Sequence, residues 1–321
     1  MNSRNRKRRA AGTLRFILLA LFILALQPAS AGESGGDDTA LFWSVSRDGE
    51  IVGYLLGTIH SEDPRVLDFS AELSDLMSTN QVFAMEMVPD LPTLQQLTDY
   101  MQFQDGTTIE DLIGPQRYQQ LRTALAGYRV PADWIARMKV WAAMMTLSVP
   151  PPETGFFMDF SLSLRAAGAG LKVVGLETLE QQLAFLEDMP MEQQVALLDQ
   201  ALQEYHKVGE LHEQMVDSYL AGNLQALSEQ AEEQLGGLDS ETRDYFMHYG
   251  IEMRNQRMIE SLSSLLQSSR VFTAVGALHL PGENGLIRLL RDRGYELRPL
   301  PLPFSAAAPE SARGTGQRQS R

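Results

Sequence analysis

The stretch Gly168-Ala169-Gly170-Leu171-Lys172-Val173-Val174-Gly175-Leu176-Glu177-Thr178 decides the architecture. A glycine-rich turn closes a helix that starts near Met158-Asp159, the run Leu171 to Glu177 reads as a strand, and another helix opens at Thr178. Upstream, Phe69, Leu73 and Leu76-Met77 recur at helical spacing before Gln81-Val82-Phe83-Ala84-Met85-Glu86-Met87, which reads as a buried strand. Strand, helix and strand in succession favour a mostly parallel sheet with helices packed against it, because parallel neighbours need a long crossover.

Moving outward, Leu41 to Val45 and Ile51 to Leu56 read as two strands joined by Arg47-Asp48-Gly49-Glu50, where Asp-Gly is a favoured hairpin turn. Residues 93–147 are mostly helical, with interruptions at Gly106, Gly114-Pro115 and Val130-Pro131, and Pro150-Pro151-Pro152 ends that block. Residues 191–269 are amphipathic and rich in Glu and Gln, so they read as helices broken near Gly222 and Gly236-Gly237. A strand Val271 to Val275, a helix Gly285 to Arg293 and a strand Tyr295 to Leu300 complete the pattern. The fold class is therefore α/β, a mostly parallel central sheet with flanking helices and a large helical insertion.

The first thirty-one residues stand apart. Arg4, Arg6, Lys7, Arg8 and Arg9 precede the apolar stretch Leu14 to Leu26, and Ala29-Ser30-Ala31 supplies small residues for a peptidase. This is the pattern of a secretory leader cleaved after Ala31, with an uncleaved anchor as the alternative, and it predicts a periplasmic or secreted protein. Loss of six basic residues with that leader takes the formal charge from −14 to −20. So acidic a surface argues against nucleic acid as a partner, since phosphates demand Lys and Arg. The chain has no cysteine, which excludes disulfides, a thiol nucleophile and thiolate ligands. No later segment reaches membrane length. Residues 32–40 read as a flexible lead-in, 41–302 as the folded domain and 303–321 as a disordered tail.

Chemistry is suggested by a pattern that occurs twice. Gly57-Thr58-Ile59-His60 closes one apolar run and Gly276-Ala277-Leu278-His279 closes another, in a chain with only five histidines. Glu86 and Glu177 also end apolar runs read as central strands. Ligands bind at the carboxyl ends of strands in open α/β sheets, so four such ends predict one crevice holding His60, Glu86, Glu177 and His279. A divalent metal would satisfy both buried carboxylates and neutral imidazoles, and such a donor set suits zinc, manganese, cobalt or iron. Each histidine taken alone is more often a hydrogen-bonded structural residue than a ligand, and it is the duplicated placement that brings the two readings level.

Arg254 lies in an amphipathic helix, from which its fork could clamp a carboxylate or an oxyanion if it faces the crevice. His206, His212 and His248 lie on polar helical stretches outside any H-E-x-x-H pattern, and solvated or capping roles are expected for them. The chain has no dinucleotide fingerprint, no G-x-S-x-G elbow and no P-loop.

Tyr54 to His60, Gly175-Leu176-Glu177-Thr178 with Gln181-Gln182, Arg254-Asn255, and Val275 to Gly282 together resemble the TraB/GumN family. The resemblance runs from about Leu41 to Leu300. It implies a metal-dependent hydrolase, like a peptidase using manganese or cobalt, on a fold similar to the erythromycin esterase and ChaN-like group. Carried over, it places His60, His279 and Glu86 at the metal, makes Glu86 or Glu177 the acid-base group, and gives Arg254 a substrate-positioning role. Asp159 resembles a supporting residue behind the site. Lys139 and Trp141 flank Val140 where the family commonly has proline. The expected substrate is a peptide or small molecule; the competing expectation is a protein that binds peptide, metal or haem without turnover.

Overall fold

The computed structural model describes residues 39–304. The leader, most of the lead-in and nearly all of the tail read from the sequence lie outside these residues. Asp48 and Gly49 both take positive φ, 53° and 81°. That backbone matches the right-handed twist of paired strands, and it folds β1 (Phe42–Arg47) back onto β2 (Glu50–Thr58) in antiparallel register.

The remaining strands are β3 (Val82–Met85), β4 (Lys172–Gly175), β5 (Val271–Gly276) and β6 (Glu296–Leu300). They form one six-stranded sheet in the order β4-β3-β5-β2-β1-β6. Pairings β4/β3, β3/β5 and β5/β2 are parallel, while β2/β1 and β1/β6 are antiparallel. The sheet is thus mostly parallel and its four parallel strands are contiguous. Two strands end before the apolar runs do, although pairing continues through Leu176 N–H to Met85 O (2.7 Å) and Glu177 N–H to Glu86 O (2.9 Å).

Two apolar cores support this frame. One surrounds the sheet and includes Trp43, Leu55, Phe83, Phe272 and Ile259. The other is built from helices between and beyond the strands, around Trp141, Leu121, Leu198 and Phe246. Helix Val140–Leu147 is buried along its whole length, as its unbroken run of apolar residues requires. The segment 191–269 forms helices Met191–Glu204, Val208–Leu220, Leu224–Leu235, Ser240–Met247 and Met253–Leu266. Breaks fall at Gly222 and Gly236, as read from sequence. Two others, a 3-10 turn at Tyr205–Lys207 and a π-helical turn at His248–Glu252, were not expected. The folded chain also runs past Leu302: Phe304 is buried, bridges to Phe69 and packs edge-on to Tyr219. No helix among the described residues is long and apolar enough to cross a membrane.

Candidate active site

The parallel register levels four strand ends, with Thr58 opposite Gly276, Met85 opposite Ala274 and Met85 opposite Gly175. Read across the sheet from β4 to β2, the residues just past those ends are Glu177, Glu86, His279 and His60. Each is at most 9% exposed, as are Arg254 and Asp159. Gly57 explains part of the repeated motif: a Cβ there would lie 2.8 Å from Leu280 Cδ1 and 3.0 Å from Ala277 Cα. Its absence lets the two histidine-bearing loops approach.

Glu86 is held by three groups. Its Oε1 accepts the Gly276 N–H at 2.8 Å, and its Oε2 accepts from Arg254 Nη2 at 2.5 Å and Gln182 Nε2 at 3.1 Å; His279 Nε2 lies 3.7 Å from Oε1. Arg254 also binds Glu177 Oε2, from Nε at 2.9 Å and Nη2 at 2.8 Å, while Arg257 Nε donates to Glu177 Oε1 at 3.3 Å. Burial pushes the Glu86 carboxyl above its ordinary range, against the opposing pull of Arg254 and the Gly276 amide. Burial alone would lower Arg254, yet the two carboxylates hold it above its ordinary value.

The protonation of His279 follows from its neighbour. Asn255 Nδ2 donates to Asn284 O at 2.8 Å and to His279 O at 3.4 Å, so its Oδ1 is the atom 2.7 Å from His279 Nδ1. Nδ1 therefore carries the hydrogen and Nε2 keeps a lone pair. Burial, and then the positive charge of Arg254, lowers the His279 pKa to about 3, so the ring is neutral at ordinary pH.

His60 is placed differently. Its ring stacks on Phe157 at 3.7 Å between centroids, and its Nδ1 lies 3.9 Å from Asp159 Oδ2. Asp159 Oδ1 accepts from Thr58 Oγ1 at 2.5 Å, which ties the helix Met158–Gly168 to the end of β2. A cavity of about 160 Å³ joins the two halves: His60, Glu86, Arg254 and His279 all line it. Glu177 stands behind Arg254 and is not one of its lining residues.

The donors suit a divalent cation in kind. His279 Nε2 presents a lone pair toward a carboxylate oxygen across 3.7 Å, less than twice the ~2.1 Å of a metal–ligand bond, so one cation could touch both. They are not gathered into a finished cage: among the described residues no three His, Asp or Glu side chains are placed together to hold a metal.

Several residues were missed or misread. His206 is exposed, and His248 is an exposed partner of Glu252 at 3.1 Å, as expected. His212 is not solvated: it lines the same cavity, and its Nε2 lies 3.0 Å from the fully buried Ser61 Oγ. Burial, then the proximity of His60, lowers its pKa. Its spacing from Val216 and Tyr219, the buried face of helix Val208–Leu220, was the available signal. Asn255 and Gln182 belong to the segments that carry the family resemblance, but sequence alone assigns neither a role of its own. Lys139 and Trp141 lie outside the cavity, and both donate to Glu187, at 2.6 and 2.8 Å. Val140 between them is the first residue of a helix, where a proline would also fit, so the departure from the family pattern leaves that helix start unchanged.

The TraB/PrgY/gumN family model matches residues 41–299. Metalloprotease TIKI1 of Danio rerio is 24% identical over 83% of this chain and 64% of its own length. Metalloprotease TIKI2 of Xenopus tropicalis is 24% identical over 88% and 65% respectively. The uncharacterized protein YbaP of Shigella flexneri is 24% identical over 77% of this chain and 90% of its own. The chain thus spans somewhat under two thirds of the length of these two TIKI relatives. No solved structure gives a significant match. A match to the family model over nearly all of the described fold establishes that the chain belongs to the TraB/PrgY/gumN family.

Proposed function

We propose that this protein is a metal-dependent hydrolase acting on peptides. One observation carries the reading: two lone-pair donors, His279 Nε2 and Glu86 Oε1, face each other 3.7 Å apart on the wall of a cavity that His60 also lines. The TIKI metalloproteases supply the direction, since they are relatives over most of the chain. His279, Glu86 and His60 are the residues to hold the metal; the donor type is compatible with manganese, cobalt, zinc or iron, and the family resemblance points to manganese or cobalt. Bound there, the metal would supply Lewis-acid polarisation and a water of lowered pKa.

The remaining roles follow from position. Peptide hydrolysis adds water across the C–N bond, its oxygen going to the carbonyl carbon and one proton to the leaving nitrogen. Glu86 is the carboxylate on the cavity wall, which makes it the group placed to carry that proton. Glu177, set behind Arg254 and bound by two guanidinium groups, positions Arg254 instead. Arg254 lines the cavity and supplies fixed positive charge near a developing oxyanion. Asp159, through Thr58 and toward His60, orients the first histidine loop. The comparison with erythromycin esterase and ChaN-like folds remains part of this proposal, as does export through a leader ending at Ala31; N-terminal sequencing of the mature protein tests the latter, with Gly32 as the expected first residue.

The test is metal analysis after loading with manganese, cobalt or zinc, paired with mass spectrometry of a peptide mixture. Near-stoichiometric metal in the wild type, lost in both His60→Ala and His279→Ala together with cleavage, is the expected result. Folded wild type that takes up no metal sinks the mechanism. The rival reading, a binding protein without turnover, draws on Glu86 being already committed to Arg254 and Gln182; peptide binding without cleavage under every metal would favour it.

A further inference from the structure

The cavity continues away from the four strand ends into an apolar recess. Val208, Leu211 and Met215 on helix Val208–Leu220 face Leu227 and Ala231 on helix Leu224–Leu235, and Val149 closes one side. No free charge stands in this part: the acidic and basic residues on the cavity wall are Glu86 and Arg254, and they bind each other. The whole cavity, about 160 Å³, is close to the ~150 Å³ of an engineered apolar cavity that accepts benzene. Its apolar part therefore has room for no more than one branched aliphatic, thioether or phenyl side chain.

A polar group marks how such a side chain would be presented. Gln230 lines the cavity, and its Nε2 donates to Ser218 Oγ at 2.9 Å and to Gln214 O at 3.5 Å. Those two acceptors fix the carboxamide, which leaves Oε1 as the opposite atom. Oε1 is shielded from solvent and has no hydrogen-bond partner. A buried acceptor left unsatisfied costs stability unless a ligand supplies the donor. A backbone N–H is the donor that always accompanies a peptide side chain at short range.

We infer that this recess is a specificity subsite for a single apolar side chain of a peptide substrate, with Gln230 Oε1 accepting a backbone N–H of the same segment. The inference rests on the peptidase reading, and it adds the substrate class: peptides with Leu, Met or Phe beside the bond to be cut, rather than acidic, basic or small residues. His212, Gln230 and Gln234 are half-buried, so the wall of the cavity is reachable from solvent.

Blocked peptides Ala-Gly-Xaa-Gly-Ala, with Xaa as Leu, Met, Phe, Ala, Glu or Lys, test this by calorimetric binding to the full chain stripped of metal and by cleavage after manganese loading. Leu and Met peptides are expected to bind on the order of thirtyfold more tightly than the Ala peptide, from the added buried hydrocarbon. Ala231→Phe, which fills the recess, should abolish that difference; Leu227→Ala, which enlarges it, should move the preference toward Phe. Gln230→Met should weaken all the apolar peptides together by roughly three- to tenfold. Equal binding across the series, or no binding of the Leu peptide, overturns the subsite. Selective binding without cleavage under any metal refutes the peptidase reading and leaves the subsite standing, whereas cleavage without side-chain preference does the reverse.

Discussion

Asn255 decides more of the chemistry than its place in the sequence suggests. Its amide is committed to two carbonyls, and its oxygen sets the His279 tautomer that leaves Nε2 available. Asn255→Ala should therefore lower metal affinity by about 10- to 100-fold while His279 itself is untouched, as for other groups that orient ligands; a chelator-competition titration measures it. Arg254 is a different case. It neutralises Glu86 and Glu177 together, so Arg254→Met leaves buried Glu86 without its guanidinium and Glu177 with Arg257 alone, and should cost about 3–5 kcal/mol in metal-free protein, read by urea denaturation. At this scale His60, Glu86, Glu177 and His279 were legible because each closes an apolar run in the sequence. Asn255, Gln182 and His212 were not, since their roles depend on which helix face meets the sheet and no periodicity sets that for a polar residue.

Among the elements, the two histidine loops and the π-helical turn matter most. Gly57→Ala would push a methyl against Leu280 and Ala277, and overpacking of this kind typically costs about 1–3 kcal/mol. The expected signature is a lowered melting temperature together with weaker metal binding, because the same contact sets the spacing of both loops. The π-helical turn His248–Glu252 immediately precedes Arg254 and Asn255. Such turns insert an extra residue into a helix and re-aim the face that follows, and here that face delivers Arg254 to the carboxylates and Asn255 to His279. The strands and the hairpin could be read from alternation, apolar runs and the Asp-Gly turn. The π-helical turn could not, because Gly250 and its neighbours carry the same composition as an ordinary surface helix.

For the whole molecule, acid sensitivity follows from the neutral, buried His279. Its folded pKa of about 3 lies below the ordinary 6.5. Between those values the unfolded chain binds a proton that the folded chain refuses, so stability rises with pH and is lost as pH falls from about 6.5 toward 3. The contribution is up to about 1.4 kcal/mol per pH unit. Glu86, raised by burial, acts in the opposite sense, so the informative quantity is the difference between wild type and His279→Gln in metal-free protein, followed by thermal melting from pH 7 to 4. A flatter profile in the variant is expected. Fold class was legible from the alternation of strands and helices; strand order was not, because sequence proximity does not reveal which early strands a late one will separate.

That order has a kinetic consequence. Strand β5 begins at Val271, yet it sits between β2 and β3, which are complete by residue 85. Until it arrives, β1–β2 and β3–β4 have no shared edge, and His60 and Glu86 belong to separate half-sheets. Closing so long a loop is slow, and the reward for it comes late. A growing or truncated chain that ends before Val271 consequently has neither a continuous sheet nor an assembled cavity, and the site cannot form before β5 takes its place.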